Sequence, residues 1–436
     1  MSHTPLSLRP NRRAFLTTAA AAFAAAGLHA AAPLANADWL GWRGPTGQGL
    51  YAGPALPIEW GGKANAGVLW KAPLPGAAAK AALDLNQSSP IVVGDKVVIT
   101  ASYWPGPKAD SKQIPEHHVA CYQVADGKLL WDEVIKPGPW QFTDLRGGYT
   151  APTPAGDADR IYVVFGSAVI AALDWQGKLV WRKEINPFKF DVALAASPVL
   201  HGKNVILQCD QVDKQSRLLA WDRVTGELAL EVKRPAQGFA HSTPILAKVG
   251  DKEQLIVSAS NALQGLEPGT GNVIWTCATK GDTVSPVVGG GIVYIDSGRG
   301  GSGYAVDPTG TGDVTKTHIR WKIPTMPDGY SSPVVVGKHL YRVHNPDVLK
   351  CIDLTTGEIV YSERLSGLSA AVSPIATTEG NLYFGSAGKC FVVKAGATFE
   401  LLATNDLGDA SQASAAAAGG MLFLKGRQSL YCVGMK

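Results

Sequence analysis

The sequence predicts an all-β protein with the architecture of an eight-bladed β-propeller, and three observations support this prediction. A unit of about 41 to 47 residues recurs along the chain, apart from one longer first copy. Each copy consists of short β-rich runs separated by Gly, Asp or Asn turns, with no helix-length amphipathic segment between them. The last copy lacks its fourth run, and a run of that type stands alone ahead of the first copy.

The start of each copy is marked by a Ser or Thr, which is followed by Pro in seven of the eight copies and then by an apolar run. The copies begin with the segments SSPIVV at Ser88, TAPTP at Thr150, ASPVL at Ala196, STPIL at Ser242, VSPVV at Val284, SSPVV at Ser331, VSPIA at Val372 and the degenerate ASAAA at Ala413. Self-similarity at such a period is typical of repeat architectures.

A second pattern confirms the period. The third run of five copies ends in a small residue, an apolar residue and an acid, as in Ala172-Leu173-Asp174 and Cys351-Ile352-Asp353. A Gly-containing turn and a fourth run follow, and the fourth run often carries an aromatic residue: Trp131, Trp181, Trp275, Trp321 and Tyr361. Four strands in a unit of about 40 to 45 residues predict one propeller blade per copy.

The two chain ends are predicted to complete one blade together. The eighth copy ends at Lys436, just after its third strand SLYCVG. The segment Gly67 to Gly76, GVLWKAPLPG, supplies the missing fourth strand, with Trp70 in the position of Trp181. This closure would remove two exposed sheet edges. A seven-bladed ring stays as the alternative in case the last copy does not form a blade.

The first 37 residues are predicted to be an export signal. Asn11-Arg12-Arg13-Ala14-Phe15-Leu16 opens an alanine-rich apolar run, and Ala35-Asn36-Ala37 fits a cleavage site. The paired arginines favour a twin-arginine signal, while an ordinary secretory signal or a retained anchor stays open. No cysteine precedes Cys121, so a lipid anchor is not expected. We expect a soluble periplasmic protein with a lead-in at residues 38–66 and one propeller domain at residues 67–436.

The charge balance argues against nucleic acid or an anionic membrane as partner. Of the 40 Lys and Arg residues, three lie in the first 37 residues, which contain no acid, so the remainder has a formal net charge of +1. No later apolar run approaches the ~20 residues of a spanning helix. The sequence predicts a monomer without a membrane span.

Cysteines and histidines give no metal site. Cys121, Cys351, Cys390 and Cys432 occupy the small position of the third strand, where we expect them to pack as small apolar residues. A disulfide between adjacent blades stays open. The tandem pair His117-His118 points to opposite sides of a strand, so the two side chains are not expected to share a metal.

Blade endings and the lead-in resemble a known family. Glu267 to Trp275, and in part Asp353 to Tyr361, resemble the D-x-x-T-G-x-x-x-W tryptophan-docking repeats of pyrroloquinoline-quinone (PQQ) propellers. Trp42-Arg43-Gly44-Pro45 resembles the opening of exported bacterial PQQ-like repeat proteins. The resemblance implies the propeller fold and two functional classes: quinoprotein alcohol dehydrogenases and the outer-membrane assembly propellers. The dehydrogenases carry an adjacent Cys-Cys pair and a calcium site with Glu, Asn and Asp, which this sequence does not match.

The repeat places a candidate ligand site on one face. In a propeller, the loops that lead into the inner strands and the turns between the second and third strands open on the same face. Candidate ligand-binding residues in these loops are Arg146, Tyr149, His241, Arg299, Tyr330 and Asn345. Arg146 with Tyr149, and Arg299 in the turn SGRGGSG, are the strongest of them, because Arg and Tyr anchor anions and ring faces. A polar surface of this kind suits a sugar-like, peptide or carboxylate ligand.

The sequence favours a binding or scaffold protein that presents this channel face to a protein or glycan partner. Two enzymatic alternatives stay open. One is a PQQ-dependent dehydrogenase of alcohols or sugars, with PQQ and calcium as cofactors. The other is a carbohydrate-active propeller in which His241, Asp282 and Asp328 perform acid/base chemistry.

Overall fold

The structure is a computed structural model that describes residues 1–2, 38–77, 80–141, 147–186, 189–190 and 194–435. In these ranges the chain forms 35 β-strands and no helix. Accordingly, the described part of the chain has no helix that is long and apolar enough to cross a membrane. The predicted export signal falls almost entirely on residues 3–37, which lie outside the described residues.

The strands form eight four-stranded antiparallel blades around a central channel. From the inner to the outer strand, blade 1 consists of Ile91–Val93, Lys96–Trp104, Glu116–Gln123 and Leu129–Ile135; blade 2 of Ala155–Gly156, Arg160–Phe165, Val169–Asp174 and Leu179–Glu184; blade 3 of Val199–His201, Asn204–Cys209, Arg217–Asp222 and Leu228–Lys233; and blade 4 of Ile245–Val249, Lys252–Ser258, Leu263–Leu266 and Val273–Cys277.

The second half of the ring continues this order. Blade 5 consists of Val287–Gly289, Ile292–Asp296, Arg299–Val306 and Ile319–Asp328; blade 6 of Val334–Val336, His339–His344, Val348–Asp353 and Ile359–Arg364; blade 7 of Ile375–Thr377, Asn381–Gly385, Lys389–Lys394 and Leu401–Asp406; and blade 8 of Ala416–Ala418, Met421–Lys425, Ser429–Gly434 and Val68–Pro73. Three short strands extend individual sheets: Ala82–Leu83 at blade 1, Gly312–Asp313 at blade 4 and Leu50–Tyr51 at blade 7.

The predicted ring closure and the eight blades are confirmed, and the seven-bladed alternative is excluded. Val68–Pro73 pairs antiparallel with Ser429–Gly434, with Trp70 opposite Cys432. Trp70 lies against Gly127 of blade 1, and its Nε1 donates to the carbonyl of Val124 at 2.7 Å. A Cβ at Gly127 would lie 2.5 Å from the Trp70 ring, so this turn requires glycine. The same packing recurs between the following pairs: Trp131 and Gly177, Trp181 and Gly226, Trp321 and Gly357.

The Ser/Thr of the repeat forms a hydrogen-bonded ring around the channel. In each of seven links, the backbone N–H of this residue donates to the side-chain oxygen of the equivalent residue in the next blade, at 2.9 to 3.0 Å. The residues, in order, are Ser89, Thr153, Ser197, Thr243, Ser285, Ser332, Ser373 and Ser414. The repeated hydroxyl is therefore an interblade contact, which satisfies a backbone donor that each buried inner strand would otherwise leave without a partner.

The lead-in crosses the channel at the far face, where the first-to-second strand turns lie. Trp39 exchanges two backbone hydrogen bonds with Val92 of blade 1, and the carbonyl of Leu40 accepts from Gly156 of blade 2. Farther along the lead-in, the carbonyl of Gly49 accepts from Ala376 of blade 7, which is separated from blade 1 by blade 8. The lead-in therefore braces blades that are not adjacent in the ring and closes the channel from below.

A tight turn in the lead-in directs two side chains to different places. Arg43 and Gly44 both have left-handed backbone angles, with φ of 57° and 79°. A Cβ on Gly44 would lie 2.8 Å from the Trp39 ring, so glycine is required there. The buried Arg43 guanidinium donates from Nη2 to the carbonyls of Gln48 and Pro333, and burial lowers its pKa to about 9. The preceding residue, Trp42, is left facing the channel.

The tandem histidines lie on opposite sides of their strand, as predicted. His117 is fully buried and stacks on Phe165, with ring centroids 4.5 Å apart; its two nitrogens lie 2.9 Å from Ser102 Oγ and 2.8 Å from Ser167 Oγ. His118 faces the other way, toward Asp132 at 2.8 Å. Burial lowers the pKa of His117 to about 3, and it does the same to His344.

The buried histidines predict that stability falls in mild acid. Because their folded pKa lies below the unfolded value of about 6.5, the stabilisation is complete above pH 6.5 and is lost as the pH falls from there toward 3. Each neutral histidine is expected to cost ~1.4 kcal/mol of unfolding free energy per pH unit in this window. Urea unfolding of His117→Gln at several pH values should show a slope smaller by one proton. His339→Gln, on a partly exposed strand end, is the control, and an unchanged slope in His117→Gln would contradict the assignment.

Candidate ligand site at the channel mouth

A cavity of about 770 Å³ opens at the end of the channel opposite the lead-in. Gln87, His241, Tyr330 and Gln412 reach it from the loops that lead into four inner strands, and Arg299 reaches it from a second-to-third strand turn. The two kinds of loop therefore share one face, which we call the channel mouth. The described residues at the cavity walls combine amides, hydroxyls, one imidazole and one guanidinium with alanine side chains.

Trp42 of the lead-in forms the floor of this cavity. Its Nε1 donates to Ser285 Oγ at 3.3 Å, which ties the indole to the hydroxyl ring. Ser197, Thr243 and Ser332 of the same ring also line the cavity. A second cavity, of about 370 Å³, lies on the far side of Trp42 between the lead-in and blades 2 to 4, and both Trp42 and Thr243 line it as well. The indole thus separates two cavities and makes the upper one a blind pocket.

Arg299 is held from two sides at the cavity wall. Its Nε donates to Thr283 Oγ1 at 3.1 Å and lies 3.4 Å from Asp282 Oδ2. Its guanidinium carbon lies 5.3 Å from the centroid of the Phe239 ring, a cation–π distance. The terminal nitrogens Nη1 and Nη2 have no hydrogen-bond partner among the described residues. The two terminal nitrogens are therefore oriented by these contacts and are not occupied by any residue that the structure describes.

His241 belongs to an aromatic group beside Arg299. Its ring centroid lies 5.0 Å from that of Phe190 and 5.8 Å from that of Phe239. Its backbone N–H donates to the carbonyl of Asp282 at 2.6 Å. Asp282 is buried behind this wall, so two of the three acid/base candidates, His241 and Asp282, lie together.

The remaining candidates divide between the cavity and its surroundings. Tyr330 lines the cavity and is 54% exposed, so its ring is open to a ligand. Asn345 and Asp328 bond to each other, Nδ2 to Oδ2 at 2.9 Å, outside the cavity lining. Tyr149 is fully buried against Trp104, with its backbone N–H bound to Asp84 Oδ2. Arg146 lies outside the described residues.

Two groups of site residues were not recognised from the sequence. Trp42 served only as part of a family resemblance, although an apolar aromatic between Gly41 and the Arg-Gly turn could have indicated a side chain directed at a partner surface. The hydroxyls of the Ser/Thr-Pro steps indicate the repeat, but their position at the cavity was not foreseen. A Ser or Thr recurs at this position in all eight copies and precedes proline in seven, and this was the available signal, because a repeated buried hydroxyl needs a repeated hydrogen bond.

Buried charges near the channel hold blades together rather than line the cavity. Lys425 of blade 8 is fully buried and donates to Ser88 Oγ at 2.6 Å and to the carbonyl of Thr100 at 3.0 Å, both in the blade 1 segment. Burial lowers the pKa of Lys425 to about 7 and raises that of Asp84 to about 6. Because neither side chain reaches the cavity, this polar network strengthens the seam between the first and last blades.

The described residues show neither a cysteine pair nor a metal-binding group built only from His, Cys, Asp and Glu side chains. No group of three or more His, Cys, Asp or Glu residues in the described ranges is placed to hold a metal ion. All six cysteines are buried and unpaired, and no two are adjacent in the chain.

Comparison with known proteins gives one family and several related folds. Residues 115–363, more than half of the chain, match the family described as outer membrane protein assembly factor BamB. No curated protein sequence matches the chain. The crystal structure of BamB from Moraxella catarrhalis is similar at 14% identity and a TM-score of 0.56, covering 80% of this chain and 95% of that chain.

Two dehydrogenase structures share the fold as well. Quinohemoprotein alcohol dehydrogenase from Comamonas testosteroni aligns at 12% identity and a TM-score of 0.64, over 92% of this chain and 82% of that chain. A europium-containing methanol dehydrogenase aligns at 10% identity and a TM-score of 0.63, over 89% of each chain. The resemblance to PQQ-type propellers is thus confirmed, and at these identities the likeness concerns the fold.

Proposed function

The chain belongs to the PQQ-type propeller family described as outer membrane protein assembly factor BamB, and from this premise we propose that it is an exported binding protein. It holds a protein or glycan partner at the channel mouth. The observation that carries this proposal is the blind cavity of about 770 Å³, closed below by Trp42 and lined by polar groups that converge from separate blades. Ligand pockets commonly have volumes of ~300 to 1,000 Å³ and a few convergent polar groups.

The arrangement of the candidate acid/base residues favours binding over catalysis. A carbohydrate-active enzyme would use His241, Asp282 and Asp328 around one cavity, whereas Asp328 lies outside the cavity lining and bonds to Asn345. The Asp282 carboxylate lies against Arg299 Nε, where it orients the guanidinium. The chemistry of the site is therefore that of recognition: a positioned cation, hydroxyl donors and an aromatic floor.

Export and scaffolding are the wider part of the proposal. The Arg12-Arg13 pair and the alanine-rich run support removal of residues 1–37 after twin-arginine export, which would place the propeller in the periplasm as a soluble monomer. The family description supports a role in assembling other proteins. The channel mouth would then be the surface that receives a side chain, a chain end or a sugar of the partner.

The test is binding of the chain from Asp38 onward to glycan and peptide arrays. The parent is compared with a variant in which a larger side chain fills the cavity. Ala371 lines the cavity, so Ala371→Trp should fill its mouth and weaken capture by about 10-fold or more, because a bulky side chain excludes the ligand from the pocket. Ala229→Trp, at an exposed position on the outer strand of blade 3, is the matched control and should capture like the parent.

Two outcomes would overturn this function. Capture that Ala371→Trp leaves unchanged would move the site away from the channel mouth. Stoichiometric uptake of PQQ in the presence of calcium, seen as a bound chromophore with dye-linked oxidation of alcohols or sugars, would replace binding with dehydrogenase activity.

A further inference from the structure

The charge and the donor geometry of the cavity point to a narrower ligand class than the proposed function requires. We propose that the channel mouth binds a sugar acid, with its carboxylate on the free fork of Arg299 and its ring above Trp42. This inference rests on the proposed function, because it assigns the ligand of the same cavity. It specifies the chemical class, the charge and the orientation of the ligand in that cavity.

The charge of the cavity wall favours an anionic ligand. Among the described residues that line the cavity, Arg299 is the one permanent cation, and none is Asp or Glu. Asp282 lies behind the wall, where it faces Nε and not the cavity. A carboxylate entering the cavity therefore meets a positive group, with no acid among the described lining residues to compete, and in a partly enclosed site that attraction is less screened than in bulk water.

The orientation of the Arg299 guanidinium favours a carboxylate. Thr283 and Asp282 hold the Nε edge, and Phe239 packs against the face, so the side chain is fixed before a ligand arrives. The two terminal nitrogens remain available as a parallel pair of donors. Such a pair matches the two oxygens of a planar carboxylate, and the ligand does not have to order the arginine first.

The rest of the cavity offers hydroxyl groups that can donate hydrogen bonds to a ligand. The side-chain oxygens of Ser197, Thr243, Ser285 and Ser332 already accept backbone N–H groups. Their own O–H hydrogens have no acceptor among the described residues, so these groups can donate to a ligand. A ligand rich in oxygen acceptors satisfies both the arginine fork and this ring of hydroxyls.

The aromatic and amide side chains of the cavity favour a sugar acid among carboxylates. The indole of Trp42 offers an apolar face at the floor, which suits the C–H face of a sugar ring. Tyr330 and Gln412 also line the cavity; Gln412 Oε1 already accepts from Gln87 Nε2, so the Tyr330 hydroxyl and Gln412 Nε2 are the groups that can bond ring hydroxyls. A monoanion also matches the single permanent cation of the described wall, whereas a dianionic phosphate would leave one charge without compensation.

The experiment compares D-glucuronate with its neutral amide, D-glucuronamide, by calorimetric titration of the chain from Asp38 onward. The acid should bind at least about 10-fold more tightly than the amide, since the two differ only in the group that meets Arg299. Arg299→Gln should weaken binding of the acid by about 10- to 100-fold and leave binding of the amide nearly unchanged. Arg299→Lys, which keeps the charge but loses the fork, should fall in between.

Arg427→Gln is the control, because Arg427 is exposed in the equivalent turn of blade 8 and does not line the cavity. Equal affinities for acid and amide, no binding of the acid, or a response of Arg427→Gln equal to that of Arg299→Gln would each overturn the inference. Tighter binding of inorganic phosphate or of a peptide C-terminus would also overturn it. These results are distinct from failure of the proposed function, because a neutral ligand that Ala371→Trp excludes would preserve that function while refuting the sugar acid.

Discussion

A chain that starts at Ala77 is expected to lose the cooperative fold of the ring. The deletion removes the outer strand of blade 8, Val68–Pro73, and the lead-in that braces the far face. It also removes buried side chains of the largest apolar cluster, including Trp39, Trp60 and Trp70. Loss of a single buried Trp costs about 3 to 5 kcal/mol, while whole domains are stable by only about 5 to 15 kcal/mol.

The measurement is thermal and urea unfolding of chains that begin at Asp38 and at Ala77. We expect a sharp transition for the first and a broad transition or none for the second, because the third strand Ser429–Gly434 becomes an exposed edge. A chain from Ala77 that melts like the chain from Asp38 would refute the closure as a source of stability.

A point substitution at the seam tests the closure without deleting a segment of the chain. Trp70→Ala removes the indole that docks on Gly127 at the seam, and Trp181→Ala removes an equally buried indole on Gly226 within the continuous chain. Both are expected to destabilise the protein by about 3 kcal/mol or more. Trp70→Ala should cost more, since at the seam no covalent turn joins the outer strand to the rest of its blade. A smaller loss of unfolding free energy for Trp70→Ala than for Trp181→Ala would contradict this.

The fold could be predicted because one sequence pattern recurs, with variations, in eight copies. The Ser/Thr-Pro step, the small residue of the third strand and the aromatic residue of the fourth recur at one period, so a weak local signal is reinforced by repetition. The gap in the pattern after SLYCVG also fixed the partner of GVLWKAPLPG, which the pairing of Trp70 with Cys432 confirms. The face on which the loops meet followed from the same order of strands.

The course of the lead-in could not be predicted, because each of its contacts occurs once and spans much of the chain. Arg43 binds the carbonyl of Pro333, and Gln48 accepts from the N–H of Val288, with no periodic signal for either. The burial of Tyr149 was hidden for a related reason: Asp84 accepts its backbone N–H and draws the segment inward. A sequence shows which loops share a face, but not which side chains of those loops turn toward the cavity.

The second large effect concerns the ion pair between Arg342 of blade 6 and Asp296 of blade 5. Both side chains are almost completely buried, and two parallel contacts of 2.9 Å join Nε to Oδ2 and Nη2 to Oδ1. Burial acts to raise the pKa of Asp296, but the charge and the hydrogen bonds of Arg342 hold it below its ordinary value. Arg342 also donates to the carbonyls of Ser331, Val343 and Gly329, so one guanidinium ties the inner ends of two blades.

Asp296→Ala is expected to lower the unfolding free energy by about 3 to 5 kcal/mol, because it leaves the Arg342 guanidinium buried without a counter-charge. Asp296→Leu combined with Arg342→Met removes both charges and should recover at least about half of that loss. The remainder comes from the groups left without a partner, which are the three carbonyls, the Tyr294 hydroxyl and the Gly298 N–H. Asp213→Asn, in the pair with Lys189 in which both side chains are more than half exposed, is the surface control and should cost about 1 kcal/mol or less. A double variant less stable than Asp296→Ala would show that the pair contributes more than its desolvation costs, contrary to this expectation.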